Sequence, residues 1–597
     1  MLVKRRVAAL LLAAAPCLWT AAALAQDEPA IPDQERRIPD QPAPVPPPPE
    51  LGNPNAIPPP QPTTSDTFIP VPDRWRLIDA LGRTENTFDP YNTNTLKGDK
   101  PVFGQDWFFS ISAINDLLYE PARVPTAVAP QAGATPQSNS VFGRYGRTLV
   151  SETALINLDL VKGDTAFKPP DFEIRVTPAF NFNHTDVQEL GVVNVNPAKG
   201  TVRDDSFPAL QEAFVDYHIR NVSEHYDFDS VRVGIQPFSS DFRGFLFQDN
   251  QLGVRFFGNR DNNRWQYNLA YFRRLEKDTN SGLNDVGKQL RKDDVFVANV
   301  YRQDLPVPGF TSQITYVRND NHEGGETSYD NNGFLVRPLP LGNFQGYNYD
   351  VNYLGYNGDG HFGRFNLTLS SYWAFGHQDN NEFSVSPTKS PQYIDAFFFA
   401  AEPSIDFDWF RVRASALFAS GDGNPQGGRA TGFDAIFENP QFAGADSSYW
   451  VRQSIPLIGG GIALNQPNGI LADLRSSKDE GQSNFTNPGI ELLGLGADFD
   501  VLPQLRIATN FNYLRFVNTA TLEYLRHQSN IPNEIGYDLS VAATYRPLDS
   551  QNVVLRVSGA VLAPGAGLNA LYQTGSATPL SGGNFLYSVL FNVILTY

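Results

Sequence analysis

Phe585-Leu586-Tyr587-Ser588-Val589-Leu590-Phe591-Asn592-Val593-Ile594-Leu595-Thr596-Tyr597 decides the reading of this chain. Successive side chains of a strand point to opposite faces. Phe585, Tyr587, Val589, Phe591, Val593, Leu595 and Tyr597 therefore make one unbroken apolar and aromatic face, while Ser588, Asn592 and Thr596 interrupt the other. The run has the length a tilted strand needs to cross a bilayer, about 9–11 residues or slightly more. A half-buried strand of a soluble sheet also alternates, but it rarely ends on an aromatic with so continuous an outer face.

The same test, moved upstream, finds alternating segments near 106–117, 148–160, 171–183, 208–220, 226–237, 250–259, 264–274, 293–303 and 309–319. It finds more near 346–357, 362–374, 391–404, 408–420, 486–499, 503–517, 535–547, 551–562 and 585–597. That makes about 18, an even number, as in bacterial barrels. The connections alternate in length: 118–147, 184–207, 320–345 and 421–485 are long, while Asn221 to His225, Asn259 to Asn263, Asn357 to Gly360 and Leu502-Pro503 read as turns. Long outer loops and short periplasmic turns give that asymmetry. The expected fold is all-β, a closed transmembrane antiparallel barrel over 106–597, because only closure pairs every backbone group in hydrocarbon.

The N-terminal part has a different character. Lys4, Arg5 and Arg6 precede an apolar run ending at Ala23-Leu24-Ala25, the pattern of a cleaved signal peptide over 1–25. Residues 26–72 are proline-rich, with Pro46 to Pro49 and Pro58 to Pro60, and read as a disordered linker. Within 73–105, Asp73 to Gly82 have the spacing of a short periplasmic helix, followed by a lead-in segment. Cys17 is the only cysteine and falls in the signal, so no disulfide or thiolate chemistry is expected. Losing three signal charges takes the net charge from −18 to −21, which disfavours nucleic acid.

With about 18 strands the interior is too wide for side chains alone to fill. Alternation turns Arg175, Arg232, Arg255, Arg411, Arg413, Arg506 and Arg556 inward beside outward apolar neighbours such as Val176, Val233, Val254 and Val412. An arginine facing lipid would cost roughly 2–4 kcal/mol at the midplane. Asp159, Glu173, Glu212, Asp216, Asp350 and Asp538 are also read as inward. Two accounts stand: the charges pair across the wall, or the arginines form a ladder suited to carboxylates and phosphates. The 421–485 connection is expected to fold partly inward and narrow the pore.

At that connection Ala419-Ser420-Gly421-Asp422-Gly423-Asn424-Pro425, followed by Phe433-Asp434-Ala435-Ile436-Phe437, resembles the loop signature of the alginate export family of outer-membrane barrels. Glu212 to Asp216 and Arg232 to Gln236 are weaker matches to that family's early strands. The resemblance implies an 18-stranded monomeric, porin-like barrel with a basic lumen. Asp422, Asn424 and Asp434 would then belong to the constricting loop. The proline-rich arm and the many lumen acids depart from the family pattern. The C-terminal aromatic resembles the signal read by barrel-assembly machinery.

Other chemistry is thin. The histidines at 184, 218, 225, 322, 361, 377 and 527 have no ligand spacing, so no metal and no cofactor are expected. Gly282 to Lys288 mimics a phosphate loop but lacks the following Ser/Thr and reads as an external loop. No Gly-x-Ser-x-Gly occurs, so no catalytic residue is proposed. Asp422, Asp434 and Asp446 could attract calcium but lack an EF-hand pattern and read as solvated loop acids. An energised receptor would need a folded plug longer than 26–105 provides.

The expected function is an outer-membrane channel for diffusion or export of a small or polymeric anionic solute such as a carboxylated saccharide. The alternative is an outer-membrane barrel enzyme acting on lipid or envelope substrates. The expected partners are outer-membrane lipid and lipopolysaccharide, the barrel-assembly machinery and the solute, with a possible periplasmic partner for the proline-rich arm.

Overall fold

The computed structural model describes Gly82, residues 85–87, residue 89 and residues 93–597, except 125–143, 164–168, 224–226, 339–345, 382, 385–388, 445–446, 453–454, 458–459, 463–478 and 573–584. The proposed signal, linker and helix at 73–82 lie outside the described residues, apart from Gly82, which sits in a turn.

Alternating sequence becomes eighteen antiparallel strands. They are β1 (Trp107–Arg123), β2 (Gly146–Lys162), β3 (Phe172–Val187), β4 (Val202–Asn221), β5 (Phe228–Ser239) and β6 (Gln248–Arg260). Then come β7 (Trp265–Arg273), β8 (Asp293–Arg302), β9 (Phe310–Asn321), β10 (Tyr349–Phe362), β11 (Phe365–Gln378) and β12 (Gln392–Phe407). The last are β13 (Phe410–Ala419), β14 (Ile490–Leu502), β15 (Leu505–Phe516), β16 (Glu534–Tyr545), β17 (Val553–Pro564) and β18 (Leu586–Thr596). Each pairs with its successor, and β18 returns to β1, from Ile114 opposite Thr596 to Arg123 opposite Tyr587. The sheet is therefore a closed barrel with no free edge, which removes the unpaired backbone that lipid cannot solvate. Two short pieces are added to it: a lead-in strand, Lys97–Phe103, on β1 and a two-residue parallel bridge, Arg429–Ala430, on β12.

Connections alternate between long and short around the whole ring. At one end, loops 124–145, 274–292, 322–348 and 420–489 are among the long ones; at the other, 261–264, 363–364, 408–409 and 503–504 are tight turns. The outer face carries exposed Val233, Val254, Leu269, Ile314, Leu354, Leu493, Leu495 and Val557. Aromatic side chains flank this band. Tyr217, Trp265, Trp409 and Tyr545 are exposed on the turn side, and Tyr119, Tyr271, Trp373 and Tyr587 on the loop side. An apolar belt between aromatic girdles is the surface of a membrane-spanning barrel.

The turn expected at Asn357 to Gly360 is not one. These residues continue β10, with Asn357 opposite Ser370 and Gly360 opposite Leu367, and the chain reverses at Gly363-Arg364. The glycines serve packing instead. The Phe310 ring lies across the outer face of Gly358 and Gly360, where added Cβ atoms would stand 2.2 and 2.5 Å from it, and it stacks on Phe362 with centroids 6.0 Å apart. Gly358→Ala should therefore destabilise the barrel by about 1–3 kcal/mol. Phe310→Ala in the same chain should relieve most of that strain, read as the temperature at which the folded barrel loses its heat-modifiable gel mobility. Additive losses would contradict the packing account.

Candidate permeation path

All seven arginines named from the sequence project into the barrel, and most are matched by acids. Arg175 meets Asp159 at 3.0 Å, Glu173 at 2.9 Å and Glu212 at 3.7 Å. Arg232 meets Asp216 at 2.8 Å, and its guanidinium covers the Phe214 ring at 4.2 Å. Arg411 pairs with Asp406 near the turn end. Arg413 and Arg506 share one carboxylate, Asp498, each at 2.9 Å. Arg255 differs: it donates to the Asn268 carboxamide at 2.7 Å and lies between the rings of Phe238 and Phe257, with no carboxylate in ion-pair range among the described residues. Pairing across the wall and a surplus of positive charge thus coexist, in different places.

The lumen is crossed by two loops that pair through their backbones. The 240–247 connection turns inward because the Asp241 carboxylate accepts the N–H groups of Arg243 at 2.9 Å, Gly244 at 2.6 Å, Phe245 at 3.1 Å and Leu246 at 3.1 Å. Tyr372 on β11 donates its hydroxyl to the same carboxylate at 2.9 Å, and Gln313 on β9 holds the Ser240 carbonyl at 2.7 Å. Tyr372 can lie flat because it faces Gly355, where a Cβ would be 2.3 Å from the ring. The 420–489 loop then runs alongside. Phe247 and Phe437 form a parallel bridge, Ile436 N–H donates to Leu246 O at 3.0 Å, Asn439 N–H to Gly244 O at 2.8 Å, and Gln441 N–H to Arg243 O at 2.9 Å.

An apolar cluster seals this partition from within. Phe245 packs on Phe398 and Phe442 at 5.0 and 5.3 Å, and Phe433 packs on Phe398 at 5.0 Å. The inward fold expected for the long connection is therefore present, with a second, shorter loop as its partner. That second loop was not legible beforehand, because its Asp241-x-Arg243-Gly244 turn has ordinary loop composition.

Two inward acids are reassigned. Asp350 lies on the outer face of β10 near the loop end, 4.0 Å from Arg318 and 3.8 Å from His377. Alternation misplaced it because Tyr349, Val351 and Tyr353 are the buried, inward residues there, packed against the partition through Phe485 and Phe433. A filled lumen makes the inner face apolar and inverts the usual pattern. Asp538 does point inward, but it caps a one-turn helix of the long loop, Tyr449–Arg452, accepting from Tyr449 N–H at 3.2 Å and Trp450 N–H at 3.1 Å as well as from the Ser448 hydroxyl.

The loop signature is likewise structural. Asp422 is buried, accepting from Asn424 N–H at 3.1 Å and the Thr431 hydroxyl at 3.3 Å. Asn424 is exposed, and its carbonyl closes a turn with Gly427 N–H at 2.8 Å. Asp434 accepts Asn484 N–H at 2.6 Å, joining the outgoing and returning arms of the loop. Asp422 and Asp434 are therefore not solvated loop acids; Asp446 lies outside the described residues.

The returning arm is gripped from two other loops. Arg291 clasps Glu323 bidentately at 2.8 Å twice and donates to Asp479 O at 3.2 Å and Gly481 O at 2.7 Å. Burial alone would raise the Glu323 carboxyl, but the Arg291 guanidinium outweighs it and holds the acid well below its ordinary range. Arg337 meets Glu276 and the Glu480 carbonyl, each at 2.5 Å. Between these anchors the Glu480 carboxyl is buried and its pKa is pushed up to about 7; Lys288 at 3.6 Å and the Thr279 hydroxyl at 2.9 Å offset this only partly, and Asp330 and Glu276 add to the rise.

Two cavities touch the partition on different walls. One, of about 550 Å³, is lined by β1, β2, β4 to β8 and the 274–292 loop, and includes Arg255, Asp116 and Asp249. The other, of about 260 Å³, is lined by β12 to β17 and the partition, with Arg243, Arg413, Arg506 and Arg556 against Glu402 and Asp498.

No family model matches this chain, and no curated protein matches it. The resemblance to alginate exporters thus rests on the residues quoted above. Solved structures do match in shape. OccK5 (OpdH) of Pseudomonas aeruginosa has TM-score 0.40 and 10% identity over 82% of this chain and 98% of its own. OpdK of the same organism, solved with vanillate, has TM-score 0.41 and 8% identity over 82% and 98%. Its OccK2 (OpdF), in complex with glucuronate, has TM-score 0.39 and 12% identity over 82% and 98%.

Two expectations follow. Asp241→Asn replaces an acceptor oxygen by a donor facing N–H groups and should cost roughly 2–5 kcal/mol of loop stability. Single-channel conductance should rise and become noisier; an unchanged trace would contradict the role of Asp241. Glu480 is the second. An acid whose pKa is raised on folding favours the closed latch fully below its ordinary value of 4.5 and loses that contribution as pH climbs through about 7. Loop fluctuations in the current should grow from pH 5 to pH 8, and Glu480→Gln should abolish that dependence. Growth in the opposite direction would contradict it.

Proposed function

We propose that this chain is an outer-membrane channel for small anionic solutes, and that they pass through the arginine-lined cavity beside the partition. One observation carries the reading. Four guanidiniums there face two carboxylates, and one of those, Asp498, is shared between Arg413 and Arg506. Permeation samples this local surplus, whereas the net charge of −18 is spread over the whole chain. Charges on loops in bulk water are screened beyond about 8–10 Å. Guanidinium forks also match carboxylate geometry.

The partition favours small solutes over a polymer, since the spaces left beside it are about 550 and 260 Å³, the first within the ~300–1,000 Å³ of small-ligand pockets and the second below it. Alginate export therefore gives way, in this reading, to diffusion of a small acid. The enzyme alternative gains no support from three of the described histidines, which bond carboxylates and carboxamides: His184 with Asp204, His218 with Asn221 and His361 with Asn366. The reading carries with it outer-membrane lipid, lipopolysaccharide and the barrel-assembly machinery as partners.

The test is the reversal potential of the purified channel in a salt gradient. The wild type should prefer chloride. A unit charge about 7 Å from a passing ion in a water-like dielectric is worth about 0.6 kcal/mol, attractive for the anion and repulsive for the cation, so each arginine removed should lower the anion-to-cation preference roughly sevenfold. Arg506→Gln and Arg556→Gln should each do so, and Arg413→Gln paired with Asp498→Asn, which leaves the formal count unchanged, should not. A cation-selective wild type would overturn the proposal.

A further inference from the structure

We propose that the larger cavity is a second solute site, built for a neutral polyhydroxylated solute of monosaccharide or disaccharide size. It lies against a different wall from the arginine cavity, and its volume of about 550 Å³ falls within the ~300–1,000 Å³ usual for ligand pockets. The chemistry of its lining differs in kind. Three carboxamides that line it, Gln211, Asn250 and Asn439, make no side-chain hydrogen bond to any described residue. A carboxamide offers one acceptor oxygen and two donor hydrogens from a single fork, which is what neighbouring hydroxyls, each both donor and acceptor, can use.

Gln211 is only 7% exposed, so its unpartnered amide is buried against this space rather than in bulk water. A bulge puts it there. Thr177 lies opposite Glu212 and Pro178 opposite Leu210, leaving Gln211 as the extra residue on β4. That extra residue lets Glu212 reach Arg175 while Gln211 also lines the lumen; re-aiming a side chain is a common use of bulges. The Phe238 ring, backed by Arg255 at 5.5 Å, supplies an apolar face for the C–H side of a sugar ring.

The charges of the lining cancel. Asp249 is neutralised by Lys277 at 2.7 Å, and of the remaining ionisable groups Asp116 is negative and Arg255 positive. A carboxylate gains nothing here that it does not gain more fully among the four arginines, whereas a neutral solute loses nothing to uncompensated charge.

Equilibrium binding tests the site without relying on conduction, so it stands or falls separately from the channel reading. The full-length protein, purified in a detergent without a sugar head group, is titrated calorimetrically with maltose, glycine and benzoate. Maltose should bind saturably. Gln211→Ala and, in the loop rather than the wall, Asn439→Ala should each weaken it about 2- to 10-fold, the worth of one or two neutral hydrogen bonds. Benzoate binding should be unaffected by both variants and weakened by Arg506→Gln, which should leave maltose unchanged. Absence of saturable maltose binding, a preference for zwitterionic glycine, or maltose affinity insensitive to Asn439→Ala would each overturn the proposal.

Discussion

Backbone N–H and C=O groups in hydrocarbon have no water to turn to, and the pairing of β18 with β1 from Ile114 to Arg123 is what leaves none of them stranded. Everything else in the molecule is arranged inside or around that closure. Because the wall satisfies itself, the interior is free to be filled. The loops that fill it face the same constraint, since they carry backbone polar groups into a confined space. They meet it by pairing with one another between residues 243–248 and 436–441, and by borrowing carboxylates: Asp241 for one loop and Asp538 for the other. Those acids act as backbone acceptors first.

Filling the outer half divides the wall into two chemical zones. Where β9 and β10 meet the partition, inward positions are apolar, as in Val317, Val351 and Tyr353, all essentially buried, while an inward acid elsewhere, Asp538, is taken up by the backbone of the loop. Towards the turns the inward positions are charged, and arginines and acids share the surface. The clasp of Arg291 on Glu323 then fixes the returning arm from outside, a fully buried pair for which loss of one partner would leave an uncompensated charge.

Strand number, order and connection lengths were legible because each depends on a period of two and on runs of loop residues, both written locally. The eighteen segments from 106–117 to 585–597 each coincide with a barrel strand, though several strands run further, β1 to Arg123 and β4 back to Val202. The outward neighbours of the arginines were legible for the same reason. Asp350 was not, because its face depends on what fills the barrel opposite it. The turn read into Asn357 to Gly360 failed similarly: glycine signals either a turn or a close approach, and here the Phe310 ring takes the space. The cavities could not be read from the sequence, since Gln211, Asn250 and Asn439 come together only through a bulge and an inward loop.

The 240–247 and 420–489 loops are joined across the lumen, and the filling of the interior depends on that union. Phe247 and Phe437 face one another in a parallel bridge, and Cys17 is the only native cysteine. The most direct measurement combines Phe247→Cys with Phe437→Cys and records single channels before and after mild oxidation and again after reduction. A disulfide should form readily within one chain and leave conductance nearly unchanged, because the two strands of the partition already touch. Failure of the pair to cross-link, or a sharp fall in conductance when it does, would show that the two loops stand apart in the folded barrel.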